Sequence, residues 1–199
     1  MFSKSGSLIL EAIRKRNMTY GMLTSFRTLN TLKADGIKML HDKGLKFLLL
    51  GLESLNDVNL RKTKRKADIN EMYHTMKLLQ DLRIIITTTY MICFQDDTEV
   101  SIRNAKRMII DELGVAVCLF NITMPLPGTP MYWEYKKNNM ICDWDWSHWT
   151  GNYLVWKHPV IAPEQAKELL AEMRSEVNSP RFNSNNRTIV DSRSKVRAL

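Results

Sequence analysis

The stretch Lys46-Phe-Leu-Leu-Leu-Gly-Leu-Glu-Ser54 runs through large apolar residues and stops in a glycine, a carboxylate and a hydroxyl. A carboxylate placed directly after Leu-Gly-Leu must leave a buried strand, so Glu53 is the first candidate for chemistry. It could receive ribose hydroxyls or an amino group through charge-assisted hydrogen bonds. Its plain alternative is to cap the turn that starts at Ser54. Other apolar runs end in polar groups too: Arg27, then Gln95-Asp96-Asp97, then Asn121 and Thr123. If these runs are parallel strands, the groups form one polar rim, where ligands of α/β folds collect. Asp96 and Asp97 precede a helix start, and favourable interaction with the helix dipole is their expected role.

Several chemistries find no residues. His41, His74, His148 and His158 do not cluster at metal-ligand spacing. Cys93, Cys118 and Cys142 form no CxxC pair, and the two within apolar runs read as small buried hydrophobes. There is no nucleophile elbow, Walker loop or GxGxxG.

The elements that must position the candidates follow from periodicity. Leu8 to Arg16 reads as a short helix with Leu8, Ile9, Ala12 and Ile13 on one face. Thr19 to Phe26 reads as a strand, Leu32 to Lys43 as a helix closed by Gly44, and the run ending at Glu53 as a strand buried on both faces. A turn at Asn56–Leu60 and a capping box from Asp68 to Glu71 lead into a helix with Met72, Met76 and Leu79 inward. Leu82 to Phe94 is a third strand, Thr98 caps a helix to Leu113, and Val115 to Met124 is a fourth strand. This alternation predicts strands that cross over in parallel and share one sheet. After it come Pro125-Leu-Pro-Gly-Thr-Pro130, a short helix through Asn138, an aromatic loop from Asp143 to Trp156, and a last helix from Pro163. That loop, with Trp144, Trp146, Trp149, Tyr153 and Trp156, either lines a substrate pocket or anchors itself over a barrel end.

Composition sets the outer limits. The 199 residues are 44% hydrophobic and 25% charged, which suits one folded α/β domain. The formal net charge is +8, concentrated in Arg61, Lys62, Lys64, Arg65 and Lys66 and in a tail with Arg181, Arg187, Arg193, Lys195 and Arg197. Neither cluster has interleaved aromatics, which argues for solvated surface over nucleic-acid binding. No apolar run reaches the ~20 residues of a membrane span. A cytoplasmic protein is the expectation.

Four stretches in order resemble one family: Arg27 after a strand, Gly51-Leu-Glu-Ser54 followed by Asn56-Asp57, Tyr90 to Glu99, and Pro125-Leu-Pro-Gly-Thr-Pro130. Together they resemble the radical S-adenosylmethionine enzymes, in the branch that often carries a cobalamin-binding domain. The resemblance implies an α/β partial TIM-like barrel, with this chain as strands three to six of a (β/α)6 barrel plus a C-terminal loop and helix extension. It implies residues 1–140 as partial barrel and 141–178 as the aromatic loop and helix, while 179–199, rich in Asn, Ser and Arg, reads by composition as a basic, disordered tail. It further implies S-adenosylmethionine contacts at Arg27, Glu53, Ser54, Cys93 and Gln95, and a substrate side at Pro125, Gly128 and Thr129. A small-molecule substrate, a 4Fe-4S cluster and, in full-length members, cobalamin belong to the same implication.

Two departures matter. Cys93 stands where the family usually has glycine, which could hinder a close backbone approach. The CxxxCxxC loop that ligates the cluster is absent, and three cysteines some two dozen residues apart cannot replace it. The expectation is therefore a C-terminal part of such an enzyme, inactive alone, whose first strand is an open edge awaiting the N-terminal half from the same gene or a separate chain. The alternatives are a non-catalytic nucleoside-type binding module derived from that fold, and an unrelated α/β barrel part using Glu53 as acid or base.

Overall fold

The computed structural model describes residues 4–56 and 69–179. The expected turn beyond Asn56, the basic cluster at 61–66, the Asp68 cap and the basic tail lie outside the described residues. Four strands, β1 (Tyr20–Ser25), β2 (Leu45–Glu53), β3 (Ile85–Ile92) and β4 (Val117–Ile122), pair in parallel in the order β1-β2-β3-β4. Strand order equal to chain order, with no reversal, is barrel-like winding and leaves no central switch point. The carboxyl ends of all four strands therefore form one rim.

Helices separate the strands as the alternation requires. After α1 (Lys4–Lys15) come α2 (Phe26–Asp42), α3 (Ile69–Asp81), α4 (Glu99–Asp111), α5 (Pro130–Lys137) and α6 (Pro163–Val177). Their buried residues, among them Leu29, Ile37 and Leu40 of α2, Met72, Met76 and Leu79 of α3, and Ile102, Ala105 and Ile109 of α4, form the core. They pack on one face of the sheet, which presents Leu48, Leu50, Leu52, Ile86, Tyr90, Ile92, Cys118, Phe120 and Ile122. Ala166, Leu169, Leu170, Met173 and Val177 of α6 are buried as the helical period predicts. An ion-pair ladder fastens α6 to α4: Arg103 and Lys106 both meet Glu172, and Lys106 reaches Glu176 at 2.8 Å.

The structure corrects four expectations. β2 is not buried on both faces: its burial alternates, with Phe47 exposed and Leu49 and Gly51 half-buried. The register lines these up with Leu23, Ser25, Thr87, Thr89 and Leu119 on a second, open face, where Leu23 is 74% exposed. Four strands alone do not curve far enough to cover that face, so an unbroken apolar run does not prove double burial. Second, Phe26 and Arg27 belong to α2 rather than to β1 or its exit, because Ser25 caps the helix by accepting a hydrogen bond from the Thr28 amide. That helix runs to Asp42 but breaks at Lys33, whose φ of 56° and ψ of −179° are not helical. Gly36 accommodates the break, since any side chain on it would meet Leu32 at 2.9 Å. Third, the inward face of α1 is carried by Leu10, while Leu8 and Ile9 are exposed. Fourth, β3 starts only at Ile85, because Arg83 makes a left-handed turn with φ of 56°.

The two sheet edges are unlike. β4's outer edge is occupied by the C-terminal elements: the Asn178 side-chain amide accepts from the Cys118 amide at 3.0 Å and donates to its carbonyl at 2.8 Å. Arg174 donates to the Phe120 carbonyl at 2.7 Å, and the Ile122 amide donates to the Gly151 carbonyl at 2.7 Å. Side chains and loop thus do the work of a fifth strand. β1 has only β2 as a strand neighbour among the described residues. No described helix is long and apolar enough to cross a membrane.

Candidate functional site at the carboxyl rim of the sheet

The rim is built from two unusual strand exits. β2 leaves the sheet through Glu53, whose φ is +61°, and the Ser54 amide donates back to the Leu52 carbonyl at 2.7 Å. This three-residue turn with a left-handed centre is strained for any residue but glycine. The turn folds the Glu53 carboxylate over Gly51, so that a Cβ added to Gly51 would lie 2.7 Å from its Oε1. Gly51 belongs to the open face, and the space its missing side chain leaves is where the carboxylate sits.

The neighbouring exit has the same device. Cys93 follows β3 with φ of +60° and is fully buried. The backbone at Cys93 turns in a way that favours glycine, with the thiol buried beneath it. Replacing Cys93 by glycine removes a buried side chain but relieves left-handed strain of about 1–2 kcal/mol, so its net effect on stability is expected to stay within about 1 kcal/mol. Cys93→Val, β-branched at the same backbone, is expected to cost more than about 2 kcal/mol; urea unfolding of both variants checks the pair.

Buried polar groups tie these exits together. Asp97, 5% exposed, accepts from the Phe94 amide at 2.9 Å and from Asn56 Nδ2 at 3.5 Å. It therefore bridges the loops after β2 and β3, while Thr98 caps α4 in a reciprocal box with Ser101. This role was hidden in the sequence because its partners lie 41 residues away or on the backbone. Ser54 is buried and accepts from the Asn56 amide at 3.0 Å, and the Tyr90 hydroxyl accepts from the Leu55 amide at 3.1 Å. Burial raises the Tyr90 pKa, so the phenol stays neutral. Thr123 Oγ1, just beyond β4, is buried with no hydrogen-bond partner, an orphan that a ligand at the rim could satisfy.

The remaining expected site residues are placed as follows. Arg27 is exposed in the first turn of α2, which starts at the carboxyl end of β1. Gln95 is exposed in the loop between Cys93 and Asp97. Pro125 is buried, Gly128 is exposed with φ of +84°, and Thr129 caps α5 by accepting from the Tyr132 amide at 3.2 Å. His158, which lies outside any metal-ligand cluster, has its Nε2 2.8 Å from the Phe94 carbonyl, and its Nδ1 accepts from the amides of Val160 and Ile161. Those contacts fix the tautomer with the proton on Nε2 and pin the loop after β3 to the C-terminal segment.

The tryptophan segment splits between the two roles left open for it. Trp156 is fully buried, donates to the Thr123 carbonyl at 2.9 Å and packs on Tyr135, which makes it the anchor over the rim. Trp144 and Trp146 are exposed around half-buried Trp149. A short 3-10 turn at Trp146–His148 is held by Asp143, which accepts from His148 Nδ1 at 2.7 Å. That hydrogen bond raises the pKa of His148 above 6.5 and lowers that of Asp143 below 3.8. A histidine pKa raised on folding contributes stability below 6.5 that is lost as pH rises through the folded value. The carboxylate's contribution is lost as pH falls through its own lowered value. Tryptophan fluorescence is therefore expected to titrate with a midpoint above 6.5, and His148→Gln should abolish the transition.

The cysteines do not fit an iron–sulfur cluster. Burial pushes the Cys93 and Cys118 thiols up to about 12, against the thiolate form that ligation needs, and Cys142 is exposed on a separate segment. Among the described residues no group of three or more His, Cys, Asp or Glu could hold a metal ion.

No family model matches the sequence. The chain is 26% identical over 157 residues to bacteriochlorophyllide d C-8(2)-methyltransferase of Chlorobaculum tepidum, covering 77% of this chain and 34% of that protein. Coproporphyrinogen III oxidase (HemN) of Escherichia coli, a radical SAM enzyme, superposes with a TM-score of 0.62 at 14% identity, covering 88% of this chain and 37% of HemN. The radical S-adenosylmethionine methyltransferase TsrM of Kitasatospora setae, solved with cobalamin and a [4Fe-4S] cluster, gives 0.56 at 14% identity, covering 66% and 27%. The fold is that of radical SAM enzymes, and the chain spans about a third of the length of the relatives it matches.

Proposed function

We propose that this chain supplies the C-terminal part of a radical SAM barrel, carrying part of the S-adenosylmethionine and substrate site, and that it works with a segment that adds strands at β1 and brings the cluster cysteines. The observation that carries this reading is the asymmetry of the sheet. β4's edge is already satisfied by Asn178, Arg174 and Gly151, so growth there is blocked. Among the described residues β1 has no second strand neighbour, so strands can be added there, and the exposed Leu23, Phe47 and Leu119 lie on the face that closure would enclose. A parallel sheet left open on one face is uncommon.

Within the assembled site Glu53 is the group that reads the cofactor, through ribose hydroxyls or the amino group. Ser54 and Cys93 are buried and act by holding the two strand exits in place. Thr123 and Gln95 add polar contacts along the same rim. S-adenosylmethionine supplies the reacting group when bound; the chain's own share is to orient it against the rim and exclude water. Two of the relatives are named for tetrapyrroles, a bacteriochlorophyllide and coproporphyrinogen III, and we place the substrate in that class. Cobalamin enters this reading only through TsrM.

Hydrogen exchange on β1 tests the joining edge. The β1 amides that point away from β2 are expected to exchange rapidly in the chain alone and to become at least ~100-fold protected when it is co-expressed with the strand-bearing segment. Protection already present in the chain alone, or none in the complex, would remove the basis for the proposal.

A further inference from the structure

The C-terminal segment exposes more aromatic surface than anchoring needs. Five rings touch in sequence: Trp133 meets Tyr132 at 5.1 Å, Tyr132 meets Trp149 at 6.2 Å, and Trp149 meets Trp146 at 4.7 Å and Trp144 at 6.4 Å. Trp133, Trp144 and Trp146 are 58%, 49% and 57% exposed, although each could have been a polar residue at no cost to the core. The middle of the cluster is tied down by hydrogen bonds and ring contacts. Trp149 donates from Nε1 to the Asp143 carbonyl at 3.1 Å, Asp143 is bound to His148, and His148 packs on Tyr153 at 4.5 Å. A contiguous exposed apolar surface held this firmly marks a binding site more often than chance exposure.

The position and the chemistry define the occupant. Gly151, two residues beyond Trp149, lends its carbonyl to Ile122 at the carboxyl end of β4, so the cluster flanks the carboxyl rim. Exposed indole rings suit offset or edge-on stacking. The Lys136 ammonium lies 5.8 Å from the Tyr132 ring centre and 5.6 Å from that of Trp133, a cation available to an acidic substituent. We propose that the cluster around Trp149 is a stacking platform for an extended flat conjugated ring bearing acidic groups, and that it is the substrate-recognition surface for a conjugated member of the tetrapyrrole class. This rests on the substrate reading above. An extended ring contacts several of these side chains at once, whereas a single indole can cover only one.

The test uses the full chain with coproporphyrin as probe, read by tryptophan quenching and by the shift of the porphyrin absorption band. N-acetyltryptophanamide serves as the small aromatic comparison. Saturable coproporphyrin binding is expected, at least ~10-fold tighter than the amide, and Trp144→Ala/Trp146→Ala should weaken it about 10- to 100-fold with an unchanged melting temperature. Lys136→Gln should weaken it less, in a salt-dependent way. Equal binding by the double variant, equal affinity for the small aromatic, or no porphyrin binding would overturn the proposal. So would a wild-type dimer that the double variant loses, which would make the cluster a self-association surface. Because no cofactor or second segment takes part, a failure here leaves the barrel proposal to its own test.

Discussion

Replacing Trp156 by alanine is expected to destabilise the fold by about 3–5 kcal/mol, the largest effect of any single substitution in the C-terminal segment. The indole is fully buried and packs on Tyr135 at 4.8 Å and on His158 at 5.1 Å. Alanine would leave a cavity beside His158, which its own hydrogen bonds hold in place. It would also deprive the Thr123 carbonyl of the Trp156 Nε1 donor, beside a hydroxyl that already lacks a partner. Trp156→Phe retains much of the ring and loses mainly that hydrogen bond, so its cost should be nearer 1–2 kcal/mol. By contrast Trp144→Ala and Trp146→Ala, exposed on the platform, should stay within about 0.5 kcal/mol. Urea unfolding of the four variants ranks them; a Trp156→Ala cost below about 1 kcal/mol would mean that the segment does not depend on its anchor.

The second large effect concerns Glu53 and separates function from stability. In the assembled barrel, Glu53→Gln is expected to weaken S-adenosylmethionine binding by about 10- to 100-fold, since charge-assisted hydrogen bonds contribute about 1.5–3 kcal/mol. Glu53→Gly should lose affinity at least as much. Yet it should hold stability or gain up to about 1 kcal/mol, because glycine adopts the +61° φ without strain. A residue that lowers stability while raising affinity is the pattern of a group kept for binding. Calorimetric titration with the cofactor, beside thermal melts, reads both axes. If Glu53→Gly destabilised the chain by more than about 1 kcal/mol and left affinity untouched, the carboxylate would be a structural cap and nothing more.

What the sequence made legible is mainly what is local. The strand–helix alternation was legible, as were the Thr98 cap, the inward Met72, Met76 and Leu79 and the glycine turn at Gly44, because each depends on neighbours a few residues away. The stretch from Lys46 to Ser54 looked doubly buried because an apolar residue can stand on either a covered or an open face, and composition does not distinguish the two. The left-handed turns at Glu53 and Cys93 gave no signal, since neither residue type favours positive φ. Asp97 and His158 were under-read for a different reason: their partners are Asn56 in one case and the Phe94 carbonyl in the other, contacts that exist only after folding. The edge asymmetry is likewise a tertiary fact, since Asn178 reaches Cys118 across 60 residues.

That asymmetry and the misfit of the three cysteines lead to the same test. Anaerobic reconstitution with iron and sulfide should be followed by absorbance, and by reductive cleavage of S-adenosylmethionine, for this chain alone and for its complex with a segment carrying a CxxxCxxC loop. The chain alone is expected to acquire no 4Fe-4S spectrum and cleave nothing, while the complex acquires the cluster and cleaves the cofactor. A 4Fe-4S spectrum from this chain alone, or a cluster-bearing complex unable to cleave S-adenosylmethionine, would contradict the account.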